Sequence, residues 1–181
     1  MDSVGLIEVK NVSKGIKVTD EMLKSAGVTL LQSGSVCPGK FVTLVGGALS
    51  AIQAAVDRAA LVAEDALIDK FVIGRLGEKV FEALAGIAQT TERKAFGIVE
   101  TFTAASAILA ADAAVKAAMV ELIEVRIARG MGGKSFACFT GEVADVTAAV
   151  EAGARIAAKD GVLINTEVIA NPHPDLWEAI L

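Results

Sequence analysis

Tyrosine is absent from this 181-residue chain, tryptophan and histidine occur once each, and cysteine occurs twice. A single histidine excludes any multi-histidine metal site within one chain and leaves few candidates for acid–base chemistry. Two cysteines cannot build a disulfide framework, and free thiols suit a reducing compartment. Aromatics make up 4%, too few for the stacking platforms that hold single-stranded nucleic acid. Cationic side chains are in deficit. Lys+Arg number 17 and Asp+Glu 22, a net charge of −5, which disfavours a phosphate backbone as partner. Long apolar runs are missing too. The longest uncharged stretch, Phe41–Val56, contains Gly46-Gly47 and falls short of the ~18–20 apolar residues of a spanning helix. The start, Met1-Asp2-Ser3-Val4-Gly5, has neither the basic nor the apolar region of a signal peptide. The expectation is a cytoplasmic chain with no membrane segment.

What the chain does have is apolar content. Hydrophobic residues make up 54% and the mean hydropathy is +0.57, which excludes intrinsic disorder. The apolar residues sit in Ala-rich helical segments and in Val/Ile/Leu-rich strand segments. Small alanines allow helices to pack closely on sheets and on neighbouring subunits. That composition predicts more apolar surface than a monomer needs, and therefore an assembly.

The chain repeats itself. Val4-Gly5-Leu6-Ile7-Glu8 returns as Phe96-Gly97-Ile98-Val99-Glu100, an offset of 92 residues. Asp20 and Lys24 match Asp112 and Lys116 at the same offset. Gly39-Lys40 then matches Gly133-Lys134 at 94, and Val80-Phe81-Glu82-Ala83-Leu84 matches Leu176-Trp177-Glu178-Ala179-Ile180 at 96. The joint falls in the polar run Gln89–Lys94, which predicts one domain over 1–89 and a second over 90–181.

Each half reads β-α-β-β-α-β-α. In the first half the strands fall at Val4–Val9, Val28–Val36, Lys40–Val45 and Ala66–Ile73. Helices fall at Val18–Ala26, with Thr19 as N-cap, at Ala48–Ala63 and at Glu78–Leu84. In the second half the strands fall at Ala95–Thr101, Val120–Ile127, Lys134–Phe139 and Val162–Ile169, with helices at Ala104–Ala118, Val143–Ala158 and Pro174–Leu181. That order describes an α+β fold, a ferredoxin-like-related sheet with helices, made twice. Asp20, Asp65, Asp112 and Asp160 read as helix-end or turn residues.

These segments resemble the tandem-domain shell proteins of bacterial microcompartments. The resemblance is carried by Gly97-Ile98-Val99-Glu100-Thr101, by Ala111-Asp112-Ala113-Ala114-Val115-Lys116-Ala117-Ala118 and by Gly141-Glu142-Val143. Val168-Ile169-Ala170-Asn171-Pro172-His173 adds the strand exit before the last helix. It covers nearly the full length, and it implies a structural protein, not an enzyme. Val36-Cys37-Pro38-Gly39-Lys40-Phe41 and Gly130-Met131-Gly132-Gly133-Lys134 narrow it to a branch of tandem proteins with a metal cluster. There, three chains form a homotrimeric, pseudohexameric disc whose pore carries an iron–sulfur cluster held by one cysteine per chain. The implied ligand is Cys37. The implied pore loops are Val36, Cys37, Pro38 and Gly39 in the first repeat and Arg129, Gly130, Met131, Gly132 and Gly133 in the second. The implied cofactor is a [4Fe-4S] cluster on the trimer axis, for electron transfer across the shell. The implied partners are other shell proteins and an enclosed redox enzyme.

Read from residues alone, Cys37 is a small loop residue between Val36 and Pro38-Gly39, and Cys138 is the only other thiol. One chain cannot assemble the Cys₄ set that clusters use. A three-fold axis would bring three thiolates together, enough for three irons of a cubane. A zinc ion on the axis is a second reading, and a plain metabolite-conducting pore that binds nothing is a third. Gly130–Gly133 lacks the spacing of a phosphate-binding loop and lies between strands, so it reads as a glycine-rich turn. Lys24 and Lys116, near the end of the first helix of each repeat, read as solvated cations favoured by the helix C-terminus. The resemblance places them at the tile edge with Arg75 and His173. Asn171 stands where Arg75 has its second-repeat counterpart, which departs from the family's pattern. An enzyme on an α+β scaffold is the competing class, disfavoured by the single histidine and the absence of a paired acid/base motif.

Overall fold

The computed structural model describes residues 3–127 and 130–180. The elements run β1 (Ser3–Val9), α1 (Val12–Ser25), β2 (Thr29–Val36), β3 (Lys40–Gly47), α2 (Leu49–Ala63), β4 (Leu67–Ile73) and α3 (Glu78–Ala85). They continue with β5 (Ala95–Thr101), α4 (Ala104–Ala117), β6 (Glu121–Ile127), β7 (Ser135–Gly141), α5 (Val143–Lys159), β8 (Leu163–Ile169) and α6 (Pro174–Ile180). A short 3₁₀ turn, Glu64–Ala66, joins α2 to β4. The expected β-α-β-β-α-β-α order therefore occurs twice. Each repeat forms one antiparallel four-stranded sheet, ordered β2-β3-β1-β4 and β6-β7-β5-β8.

The central strands β1 and β5 carry the same packing device. A Cβ added at Gly5 would lie 2.6 Å from the methyls of Ile52 and Val56 of α2. One added at Gly97 would lie 2.6 and 2.7 Å from Val146 and Val150 of α5. Each long helix thus rests directly on the backbone of its central strand, and an alanine at either glycine would overpack by about 1–3 kcal/mol. Around this contact the first unit gathers Ile7, Val18, Met22, Val45, Ile52 and Val56. In the second unit Phe96, Cys138 and Trp177 form one apolar cluster, with the Phe96 and Trp177 rings edge-to-face at 6.1 Å.

Helix α1 corrects the expected start at Val18. It begins six residues earlier, and Asn11 caps it by accepting the Lys14 N–H at 3.0 Å, a cap worth about 1 kcal/mol. Thr19 is not the cap. It lies inside α1, where its hydroxyl donates to the Gly15 carbonyl at 2.8 Å. Gly15 obscures the start in the sequence because glycine disfavours helix. It is needed there because the Phe41 ring occupies the space of its side chain. Asp20 and Asp112 are likewise mid-helix and not helix-end residues, each paired to the lysine four residues on.

By compactness the chain forms one unit of residues 3–76 with 130–133, and another of 77–127 with 134–180. This division does not follow the repeat joint at 89/90. Helix α3 packs against β6 and α4. The Gly77 N–H donates to the Asp112 carboxylate at 2.9 Å, and Lys79 donates to the Val120 carbonyl at 3.0 Å. The joint itself is tied down, since Thr91 and Glu92 donate backbone N–H groups to the Glu121 carboxylate. A polar run marks where the repeats meet, whereas side-chain contacts decide which core a helix joins.

Candidate functional site

Between β2 and β3 the chain reverses over three residues. The Gly39 N–H donates to the Val36 carbonyl at 2.9 Å, and the Cys37–Pro38 peptide bond is cis. Val36 is buried, Cys37 is half-buried, and Pro38 and Gly39 are exposed. The Cys37 thiol is free. It opens onto a pocket lined by Ser35, Val36, Cys37, Pro38, Gly39 and Gly130.

The β6–β7 loop meets this turn. Gly130 donates its N–H to Cys37 Sγ at 3.3 Å, and Gly133 is buried against the Cys37 carbonyl and the Pro38 ring. Gly130, Gly132 and Gly133 have φ of +73°, +63° and +93°, the left-handed backbone expected of a glycine-rich turn. Met131 is half-buried. Arg129 lies outside the described residues. The two loops named from the sequence are therefore brought together around one thiol.

Beneath the turn lies a pair that strand patterning hides. Glu8 is 0% exposed and its carboxylate accepts from Lys40 Nζ at 2.8 Å, with the lysine side chain 17% exposed. Lys40 opens β3 directly after Gly39, so this ion pair pins the C-terminal end of the Cys37 turn to the central strand. The signal was present in the sequence as Glu8 and Lys40 returning as Glu100 and Lys134. A strand glutamate reads as solvent-facing, but β1 is sandwiched between β3 and β4 and buried along its whole length.

Cys138 lies in β7, buried, and burial pushes its thiol up to about 12. Such a thiol stays protonated at neutral pH in the metal-free chain. Among the described residues no group of three or more His, Cys, Asp or Glu stands close enough to hold a metal. One chain thus offers one accessible thiol, and a cluster fits only where Cys37 turns from several chains converge.

The other named residues lie on the surface. Lys24 and Lys116 stand in the last turns of α1 and α4 and pair with Asp20 and Asp112. Asp20, by hydrogen bond and charge, holds the Lys24 ammonium above its ordinary value. Arg75 is exposed just after β4. His173 is exposed, and its Nδ1 accepts the Asp175 N–H at 3.2 Å. Apolar side chains also face out, among them Met119 at 87%, Leu61, Ile87 and Ile16. No described helix is long and apolar enough to cross a membrane.

The BMC domain matches residues 3–76 and again residues 95–172. The chain belongs to the BMC domain family. It carries that domain twice in tandem and is a bacterial microcompartment shell protein similar to PduT. It is 39% identical to the bacterial microcompartment shell protein PduT of Citrobacter freundii, over 99% of this chain and 97% of that one. A crystal structure of a microcompartment protein from Desulfitobacterium hafniense superposes with a TM-score of 0.89 at 42% identity, covering 98% of this chain and 99% of that one. The shell protein EutM of Salmonella typhimurium is 42% identical over 47% of this chain and 86% of its own. Each BMC domain of this chain carries a lysine, Lys24 or Lys116, in the last turn of its first helix.

Proposed function

We propose that three chains form a homotrimeric, pseudohexameric tile of a cytoplasmic microcompartment shell, whose pore holds a [4Fe-4S] cluster through one Cys37 from each chain. The observation that carries this reading is the placement of Cys37, a free, half-exposed thiol on a three-residue turn. Shell-protein relatives match both domains, and exposed apolar side chains support assembly. When bound, the cluster supplies a one-electron couple suited to relaying electrons across the wall, from or to an enclosed redox enzyme. The chain's own part is to present the thiolate and hold the turn through Glu8–Lys40. Lys24, Lys116, Arg75 and His173 belong at the tile edge, against neighbouring shell proteins.

The test is iron and acid-labile sulfide content after anaerobic purification. Cys37→Ser removes both, because a serine oxygen is a hard, weakly acidic ligand that replaces thiolate poorly. Cys138→Ser keeps both. Iron retained in the Cys37 variant overturns the assignment. Zinc bound without sulfide, or no metal in the unaltered protein, replaces the cluster by an axial zinc ion or a plain metabolite pore.

A further inference from the structure

Resting on Cys37 as the cluster ligand, we propose that the β6–β7 loop is a clamp that orients the Cys37 sulfur and raises the cluster's reduction potential through the Gly130 amide. Two contacts carry this, one polar and one steric. The Gly130 N–H points at Sγ from 3.3 Å. An amide hydrogen placed on a thiolate stabilises added negative charge, so it favours the reduced cluster over the oxidised one. The steric contact sits three residues further on. A Cβ built on Gly133 would lie 3.1 Å from the Cys37 carbonyl oxygen and 3.1 Å from Pro38 Cδ. Neither atom can retreat cheaply, since one is backbone and the other belongs to a ring. A side chain there would press the two loops apart by a few tenths of an ångström, and the φ of +93° at Gly133 also favours glycine.

The clamp is one-sided within the chain. The first repeat supplies the sulfur and the second supplies the amide, through a loop lengthened so that a glycine backbone reaches the thiol. Two non-identical repeats can do this; two identical ones would place a thiol on both loops. Gly130 and Gly133 are positioning residues, acting through Cys37 and not as ligands.

The test compares Gly133→Ala with Gly132→Ala in the assembled protein. Gly132 has a similar positive φ, +63°, but a Cβ there would meet nothing within 4 Å, so it controls for backbone strain. Gly133→Ala lowers the midpoint potential of the cluster, followed by electron paramagnetic resonance during a redox titration, whereas Gly132→Ala leaves it at the unaltered value. Equal potentials in all three proteins, or equal shifts in both variants, overturn the clamp. A second measurement needs neither the cluster nor a stable Gly133 variant. In iron-free protein the Gly130 amide exchanges its hydrogen at least tenfold faster in Cys37→Ala than in the unaltered chain, because its acceptor is gone. Unchanged exchange overturns the proposal. Iron missing from the unaltered protein refutes the cluster reading alone, and the exchange comparison still decides the clamp.

Discussion

Around Glu8 the first BMC domain is buried and tightly paired, whereas around Glu100, one repeat later, the second is open. Lys40 reaches Glu8 at 2.8 Å with the carboxylate fully buried. Lys134 stands 3.6 Å from Glu100, with the side chains 46% and 30% exposed. The same residue types at the same register thus make a buried anchor in one domain and a solvated pair in the other. The loops explain the difference. Lys40 opens β3 directly after a tight turn, while Lys134 precedes β7 at the end of a longer loop. The domain that carries the thiol has a short, pinned turn, and the second domain has a longer loop.

The largest expected effect breaks this pairing. Lys40→Met takes the lysine cation away from the buried Glu8 carboxylate and should cost about 3 kcal/mol, read as a lower urea midpoint at fixed protein concentration. Lys134→Met should change stability by less than about 0.5 kcal/mol, as exposed pairs do. Equal losses would mean that the two pairs are equivalent and that loop length does not separate them.

A thiol distinguishes the two cores. Cys138 falls where the first domain has the buried Leu44. Its folded-state value of about 12 stands above the ordinary 9.0, so only the unfolded chain ionises between those limits. The stability held by the neutral thiol is complete below pH 9 and is lost as pH rises towards 12, at about 1.4 kcal/mol per pH unit. At pH 10.5 the unaltered protein should therefore have lost about 2 kcal/mol that Cys138→Ala does not lose. Parallel alkaline profiles for the two proteins would show that Cys138 ionises as readily when folded.

The smallest effect concerns a buried hydroxyl pair. Thr19 and Thr43 lie 2.6 Å apart between α1 and β3, and the second domain has Ala111 and Ala137 at those places, both buried. Thr19→Ala alone strands the Thr43 hydroxyl and should cost about 1–2 kcal/mol, while the Thr19→Ala/Thr43→Ala double variant should return close to the unaltered stability. Additive losses in thermal unfolding would contradict the pairing.

The amino-acid order alone carries much of this architecture. The offset repeat announces two like domains, and glycine and strand patterns place the Cys37 turn and the glycine-rich loop between the correct elements. Three features are not legible there, each for a physical reason. Gly15 hides the first turns of α1 because its benefit lies in Phe41, distant in sequence. Glu8 is unreadable as buried because β1 is central and lacks the alternation that marks a half-buried strand. The Gly130–Cys37 contact joins positions far apart in the chain, and no local pattern encodes it.

The central claim is that three chains share one cluster through three copies of a single turn. Native mass spectrometry of the anaerobically purified protein tests it most directly. The account predicts a trimer carrying one four-iron, four-sulfide unit, and an iron-free trimer for Cys37→Ser. A monomer or dimer, or metal bound in proportion to chains instead of one cluster per three, would contradict it.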